Sequence, residues 1–193
     1  VLVKFYNAAR GAGIKPIMGA DLWLESRYLD EPLPVTALIM NAAGYHNLVL
    51  LISRAWQHNQ QRGRAIVKRE WIRELHDGLI WLTGDPHSEL GKLLLLERVE
   101  QAQALAASWQ SLCAGRFYLE IKRTERADDE TCLQGCVELS DKLALPLVAT
   151  NDVRFLAARD FEAHEARVCI HDSDTLDDAH RVRRYSEQQY LKS

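Results

Sequence analysis

The sequence predicts an α/β fold built on a parallel sheet. Short apolar segments with strand character alternate along the chain with longer segments whose apolar residues recur at helical spacing. The strand segments are apolar almost throughout, which is typical of parallel sheets that helices cover on both faces. Five such strand segments are present, too few for a closed barrel of seven or eight strand–helix units.

The first half of the chain supplies two strands between two helices. Residues 2–10 have helical character that ends at a glycine-rich turn. Residues 16–24 and 35–40 are apolar enough to form strands, and the polar, proline-containing segment 26–34 separates them as a loop. Residues 44–60 carry apolar side chains three and four positions apart, which predicts a helix.

The second half continues the alternation. In chain order the predicted elements are a helix over 68–75, a strand over 79–82, one long helix or two over 88–113, a strand over 117–121, a helix over 129–144, a strand over 145–150 and a helix over 161–170. The last strand is entered through Pro146, a residue suited to a strand's first positions. Residues 173–193 are polar and mixed in charge, so we expect turns and little regular structure there.

Size and composition describe a single globular domain. At 193 residues and 22.0 kDa, the chain can bury a core without metal or disulfide support. Its 47% hydrophobic and 26% charged residues are typical of a soluble protein. No apolar run approaches the roughly 20 residues that a membrane span needs. Four cysteines without a C-x-x-C pair or a signal peptide favour a reduced, cytoplasmic protein.

The charge balance argues against a stand-alone nucleic-acid-binding module. Lys and Arg number 24 against 27 Asp and Glu, a net charge of −3, whereas such modules carry a basic excess. A local basic cluster has two interpretations, a solvated helix start or a track for phosphates. Its members are Arg62, Arg64, Lys68 and Arg69.

Polar residues gather where the predicted strands end. In parallel α/β folds, functional side chains lie just beyond the carboxyl ends of the strands. The positions there are Asn41, Thr83 to Asp85, Lys122 to Thr124 and Asn151 to Arg154, with Asp21 inside the first strand. An Asp or Asn after a strand often caps the next helix or closes a turn, so both interpretations stay open for Asp85 and Asn151.

Three of these residues are carboxylates that together could hold a hard divalent cation. Asp21, Asp85 and Asp152 offer the oxygen ligands that such ions prefer. A two-metal phosphoesterase site also needs histidines or further carboxylates to fix its ions. No histidine follows any of the predicted strand ends.

Other motifs are incomplete. His164-Glu165 begins a string like the zinc-protease motif, but a valine stands where its second histidine is needed. Cys132 and Cys136 have the spacing of half a zinc site on a helix, without a second pair. Their interpretation as small buried side chains is favoured. Residues 172–183 lack the glycine and glutamate of a calcium loop.

Several short sequence strings along the whole chain are more specific for one protein family than the alternation of strands and helices. They include Leu2-Val-Lys-Phe-Tyr6, Gly11-Ala-Gly-Ile-Lys-Pro-Ile17, Gly19-Ala-Asp21, Gly78-Leu-Ile80, Val148-Ala-Thr-Asn-Asp-Val-Arg-Phe155 and Ala163-His-Glu165. Together they resemble the polymerase and histidinol phosphatase (PHP) domain. The resemblance is closest to that domain in the bacterial replicative DNA polymerase III alpha subunits.

The resemblance implies an incomplete, distorted (β/α)7-type PHP barrel that lacks its first two strands and their His-x-His motif. Residues 1–172 would be the PHP-domain fragment. Residues 173–193 would be a connecting segment that leads toward a polymerase palm domain.

The resemblance also implies a damaged metal cleft. Asp21, Asp85 and Asp152 occupy vestigial metal positions of a site that holds up to three ions in metal-binding relatives. Non-ligating or weak residues stand at three positions where the resemblance implies histidines, namely Pro34, Thr124 and Arg154.

We expect charge pairing to replace the metal in this cleft. A guanidinium at Arg154 would repel an ion and, placed between Asp85 and Asp152, would satisfy both carboxylates. Arg123, Thr124 and Asn151 are expected to take part in the same pairing.

The function that the resemblance implies is part of DNA replication. The parent chain would be a DNA-directed DNA polymerase, a nucleotidyltransferase that uses Mg²⁺, while this segment would be a non-catalytic scaffold without a cofactor. The scaffold would stabilise the polymerase and dock the proofreading exonuclease subunit of the polymerase III holoenzyme. It would meet DNA through the parent polymerase and would have no membrane partner.

Two alternatives stay open. One is a metal-dependent PHP phosphoesterase or 3′–5′ exonuclease that uses Mn²⁺ or Zn²⁺. The other is the PHP domain of an error-prone polymerase paralogue.

Overall fold

The computed structural model describes residues 2–178 and 180–192. Val1, Ala179 and Ser193, which belong to the predicted segments 1–172 and 173–193, lie outside the described residues. The helices are α1 Leu2–Gly11, α2 Ala42–His58, α3 Arg69–Leu75, α4 Glu89–Leu95, α5 Val99–Leu112, α6 Asp129–Leu143 and α7 Phe161–Asp172, with a 3₁₀ turn at Ala158–Asp160. The strands are β1 Gly19–Leu24, β2 Leu33–Ile39, β3 Gln60–Gln61, β4 Arg64–Val67, β5 Leu79–Thr83, β6 Phe117–Ile121 and β7 Leu147–Ala149.

One mixed sheet runs through the described part of the chain, in the order β3-β4-β1-β2-β5-β6-β7. The α/β class is confirmed, and the sheet stays open with β3 and β7 at its edges. β2 is antiparallel to both neighbours, whereas β1 with β4, β5 with β6 and β6 with β7 are parallel. The prediction of a parallel sheet is therefore wrong at β2. The connection over 25–32 is too short for a crossover of a dozen or more residues, so the chain turns back on itself.

The direction of β2 brings its first residues to the edge where the parallel strands end. In the antiparallel register Asp21 faces Thr36, and Trp23 faces Pro34. Asn41 follows β2 and so lies at the opposite edge, where its side chain accepts a hydrogen bond from the Gly44 N–H and caps α2. The prediction that Asn41 lies with the other polar residues at the carboxyl ends of the parallel strands is therefore wrong.

Most of the predicted elements are confirmed, with shifted ends. The segment 88–113 forms two helices, because Glu97 takes a left-handed φ of 57° between α4 and α5. The first strand begins at Gly19 rather than at residue 16, and the second includes Pro34, which was expected in a loop. The short β3–β4 hairpin was not predicted, because its strands have two and four residues.

The hydrophobic core lies between the sheet and its helices. Trp109 of α5 stacks on Phe117 of β6 with ring centroids 5.7 Å apart, and its centroid is 5.3 Å from that of Trp81 on β5. Cys136 of α6 belongs to this core, and Cys132 is buried as well, which supports their interpretation as small buried side chains. No helix among the described residues is long and apolar enough to cross a membrane.

The segment after α7 packs back onto the loop that follows β7. Its described residues, 173–178 and 180–192, form turns and a single isolated bridge between Tyr190 and Phe155, as the sequence predicts. Gln189 is fully buried. The backbone of Gln189 accepts a hydrogen bond from the Arg154 N–H at 2.8 Å. This segment therefore fixes the loop that carries three of the predicted site residues, Asn151, Asp152 and Arg154.

Candidate functional site

A cleft of about 340 Å³ opens where the parallel strands end and β2 begins. Four of the predicted site residues line it together, namely Asp21, Asp85, Asp152 and Arg154. Glu120 and Lys122 line it as well. β5, β6 and β7 contribute through their last residues or the loops behind them. β1 contributes Asp21 from within the strand, and β2 contributes its first residues because it runs the other way.

Asp21 is held by the strand beside it. Thr36 Oγ1 donates a hydrogen bond of 2.7 Å to Asp21 Oδ1 across the β1–β2 pair. Pro34 lies two residues earlier on β2, on the same side of the strand, and forms part of the cleft wall. Pro34, whose side chain has no atom that can bind a metal, therefore lies in the cleft wall.

Asp85 begins the loop after β5 and makes two kinds of contact. Its Oδ1 accepts a hydrogen bond of 2.8 Å from the His87 N–H, which closes a turn. Its Oδ2 accepts one of 2.8 Å from Lys122 Nζ. Both interpretations left open for Asp85, turn residue and cleft residue, therefore hold, while Ser88 rather than Asp85 caps α4.

Lys122 supplies the cation at the centre of the cleft. Its Nζ lies 2.8 Å from Asp85 Oδ2 and 3.5 Å from Glu120 Oε1. Burial alone would raise the pKa of Asp85, but attraction to Lys122 and the hydrogen bond from it leave this pKa below its usual value. Burial likewise works against the charged form of Lys122, yet Asp85 and Glu120 leave the pKa of Lys122 raised. The pair is thus ionised at neutral pH.

Arg154 pairs with only one of the two aspartates expected for it. Its Nη2 lies 2.9 Å from Asp152, and its guanidinium lies over the Tyr185 ring at 5.2 Å. Gln189 Nε2 donates a further hydrogen bond of 2.9 Å to Asp152 Oδ2. Among the described residues, the ion pairs of Asp85 are with other side chains, so the expected bridge from Arg154 to Asp85 is not formed.

The structure places the other three predicted residues outside the cleft. Arg123 is two-thirds exposed and pairs with Glu130 on α6. Thr124 is fully buried and donates its hydroxyl to Asp129 Oδ2 at 2.6 Å. Asn151 Nδ2 donates to the Tyr190 carbonyl at 2.7 Å. Neighbouring side chains after a strand point in different directions, so only one residue of 122–124 enters the cleft.

Two residues of the cleft were missed as charge-pairing candidates. Lys122 and Glu120 are two positions apart, which puts both side chains on the same face as they leave β6. This two-residue spacing along a strand was the sequence signal that could have placed Glu120 and Lys122 together in the cleft. Glu120 is further held by Thr150, whose hydroxyl donates a hydrogen bond of 2.5 Å to Glu120 Oε1.

The side chains of the cleft do not fit a divalent metal ion. Asp85 is occupied by an ammonium and Asp152 by a guanidinium, and these fixed cations would repel an ion placed among the carboxylates. Within the part of the chain that the structure describes, no group of three or more His, Cys, Asp and Glu side chains is arranged to hold a metal. The arrangement forms ion pairs and hydrogen bonds among its own side chains.

Comparison with known proteins agrees with the strings found in the sequence. Residues 1–124 match the PHP domain family. Over all 193 residues, the chain is 52% identical to the DNA polymerase III subunit alpha of Pseudomonas fluorescens, 47% identical to that of Escherichia coli K12 and 42% identical to that of Vibrio cholerae. It spans 16% or 17% of the length of these relatives.

The family match covers well over half of the chain, and the resemblance drawn from the sequence is confirmed. The mixed α/β sheet and its flanking helices are consistent with this assignment. The chain belongs to the PHP domain family.

Proposed function

We propose that this chain acts in DNA replication as a non-catalytic scaffold within a DNA polymerase III alpha subunit. The relatives that match over its whole length are named DNA polymerase III subunit alpha, which supports the polymerase context. The observation that carries the loss of catalysis is the pairing of Lys122 with Asp85 and of Arg154 with Asp152. PHP phosphoesterase chemistry needs those carboxylates for metal ions.

The parent protein would be the DNA-directed DNA polymerase, and its Mg²⁺-dependent nucleotidyl transfer would take place outside residues 1–193. Residues 1–172 would be the PHP segment, and 173–193 would connect it toward the palm domain. The packing of Gln189 and Tyr190 against the loop after β7 supports a connecting segment that leaves from a fixed point. DNA would be contacted by the polymerase part, in the cytoplasm and without a membrane partner.

The scaffold would stabilise the polymerase and dock the proofreading exonuclease subunit. Support comes from the resemblance to alpha subunits and from a cleft whose charges are neutralised within the fold. Hydrogen exchange of the full-length protein, with and without the purified exonuclease subunit, tests the docking. We expect protection of backbone amides within residues 1–172; protection confined to other parts of the chain would contradict it.

The catalytic alternative has its own test. Thermal unfolding of the full-length protein is followed in EDTA and then with Mn²⁺ or Zn²⁺, together with a phosphodiesterase assay. We expect an unchanged melting temperature and no metal-dependent hydrolysis. A rise of several degrees with metal, or metal-dependent hydrolysis by the unchanged protein, would favour the phosphoesterase or 3′–5′ exonuclease instead. Hydrolysis gained by Arg154→His alone would show that the argument from lost ligands at Pro34 and Thr124 is too strong.

A further inference from the structure

A second cavity, of about 670 Å³, lies between α3 and α5 and is lined by three arginines. Arg27 comes from the loop after β1, while Arg69 and Arg73 lie one helical turn apart on α3. Ser108 and Ser111 of α5 line the facing side. None of these residues lines the cleft described above.

A buried carboxylate organises this cavity. Glu89, the first residue of α4, is 7% exposed and accepts hydrogen bonds at both oxygens. Its Oε1 accepts from the Arg27 N–H at 2.6 Å, from the Tyr28 N–H at 3.0 Å and from Ser26 Oγ at 2.7 Å. Its Oε2 accepts from Arg69 Nη2. One glutamate therefore fixes both the loop that carries Arg27 and the side chain of Arg69.

Positive charge remains after Glu89 is counted. Glu89 offsets Arg69, but among the described residues neither Arg27 nor Arg73 has a carboxylate oxygen within 4.0 Å. Arg69 Nε is buried and lacks a hydrogen-bond acceptor within the described part of the chain. Burial is the largest influence on the pKa of Arg69 and lowers it, and the charge of Arg27 lowers it further, against Glu89 and Glu25. An anion beside these groups would relieve their repulsion.

The cavity also has an apolar wall. Ile72 of α3 and Leu112 of α5 line it beside the arginines, and Trp109 closes its inner side. Guanidinium groups match phosphate oxygens in geometry and charge. The Ser111 hydroxyl can donate to the same oxygens, whereas the Ser108 hydroxyl donates to the Leu105 carbonyl at 2.7 Å. An apolar wall beside such donors suits a ligand with one charged end and one apolar or aromatic end.

From this arrangement we infer that the cavity between α3 and α5 binds a phosphate monoester that carries an apolar or aromatic group. Arg27, Arg69 and Arg73 hold the phosphate. Leu112, which is partly exposed, contacts the apolar group, with the buried Ile72 and Trp109 behind it. Of the basic cluster noted in the sequence, only Arg69 takes part; Arg64 instead stacks on Trp23 at 4.4 Å.

Isothermal titration of the full-length protein in EDTA tests this inference, with deoxyadenosine monophosphate as the probe. Inorganic phosphate alone tests binding of the charged part of the ligand, and deoxyadenosine alone tests binding of the part without phosphate. We expect the monophosphate to bind, inorganic phosphate to bind more weakly and deoxyadenosine not to bind. The double variant Arg27→Gln/Arg73→Gln should weaken monophosphate binding at least about tenfold, since each charged hydrogen bond contributes measurably.

Arg167→Gln is the matched control, because Arg167 is an exposed arginine on α7 that does not line the cavity. It should bind the monophosphate like the unchanged protein. Unchanged affinity in the double variant, equal binding of deoxyadenosine, or no heat with the monophosphate would overturn the inference. If the double variant does not fold, Arg73→Gln alone, at an exposed helix position, should weaken binding about threefold, and unchanged affinity there would overturn it equally.

Discussion

Replacing Lys122 with methionine removes the cation from the cleft while keeping a side chain of similar length. Lys122 and Asp85 are each 14% exposed, and Glu120 is 9% exposed. The substitution leaves two carboxylates facing the same space with no ammonium between them. Asp85 keeps the His87 N–H as a donor, and the nearest remaining cation is Arg126, whose Nη2 lies 4.0 Å away.

The expected cost follows from that geometry. Removing one partner of a buried ion pair typically costs about 3–5 kcal/mol, because the other charge is left uncompensated. Water still reaches the edge of this pair, so we expect the lower end, about 3 kcal/mol in the free energy of unfolding.

The cost should depend on pH in a defined window. The pKa of Asp85 lies below its usual 3.8 in the folded protein, so its contribution is present above pH 3.8 and is lost as the pH falls through the lowered pKa. The pKa of Lys122 lies above its usual 10.5, so its contribution is present below pH 10.5 and is lost as the pH rises through the raised pKa. The variant should therefore differ most from the unchanged chain between these limits.

Urea unfolding followed by circular dichroism, at neutral pH and again well below pH 3.8, measures the difference. Arg123→Ala is the matched control, because the neighbouring Arg123–Glu130 pair is 67% exposed on both sides and should contribute nothing measurable. A loss below about 1 kcal/mol for Lys122→Met at neutral pH would refute the reasoning, since that is the scale of a solvated pair. A loss that does not shrink in acid would refute it as well.

Two further predictions concern packing and thiol reactivity. Gly44→Ala should lower the melting temperature, because an added Cβ would lie 1.9 Å from the Gly78 carbonyl oxygen, whereas Gly11→Ala meets nothing within 4 Å; overpacking of this kind costs about 1–3 kcal/mol, and equal melting temperatures would contradict the close approach. Cys132 and Cys136 should resist a disulfide reagent at pH 8, because burial raises the pKa of each thiol to about 12; they should react once the chain is unfolded in urea, and labelling of the folded chain within minutes would count against their burial.

The positions of most helices and strands could be predicted from the sequence, but the directions of the strands in the sheet could not all be predicted. An apolar run such as 35–40 states that a strand is buried, but it contains nothing about which way the strand runs. The length of the connection before it carried that information, because an antiparallel return needs few residues and a crossover needs a dozen or more. The β3–β4 hairpin was not predicted, because Gln60 and Gln61 are polar and exposed and lack the alternation of apolar and polar residues that marks longer strands.

The candidate site was predicted by position rather than by orientation. Asp85 and Asp152, which follow strands, do meet in one cleft, together with Asp21 from within β1. Which of the residues 122–124 faces the cleft depends on the path of the backbone after β6, and the sequence does not show that path. Lys122 lines the cleft, while Thr124 is buried against Asp129. Gln189 could not have been found, because its role comes from a polar segment that returns from far along the chain.

Helix α1 has a thermodynamic consequence of its own. None of its side chains is buried among the described residues, and Leu2, Val3 and Phe5 are each more than half exposed. Isolated helices shorter than about 12–15 residues are marginal in water, and α1 has ten. Its helix–coil equilibrium therefore lies close to balance. Any surface that covers Phe5 and Leu2 would add about 1.5–3 kcal/mol for each fully buried side chain, enough to move that equilibrium strongly toward helix.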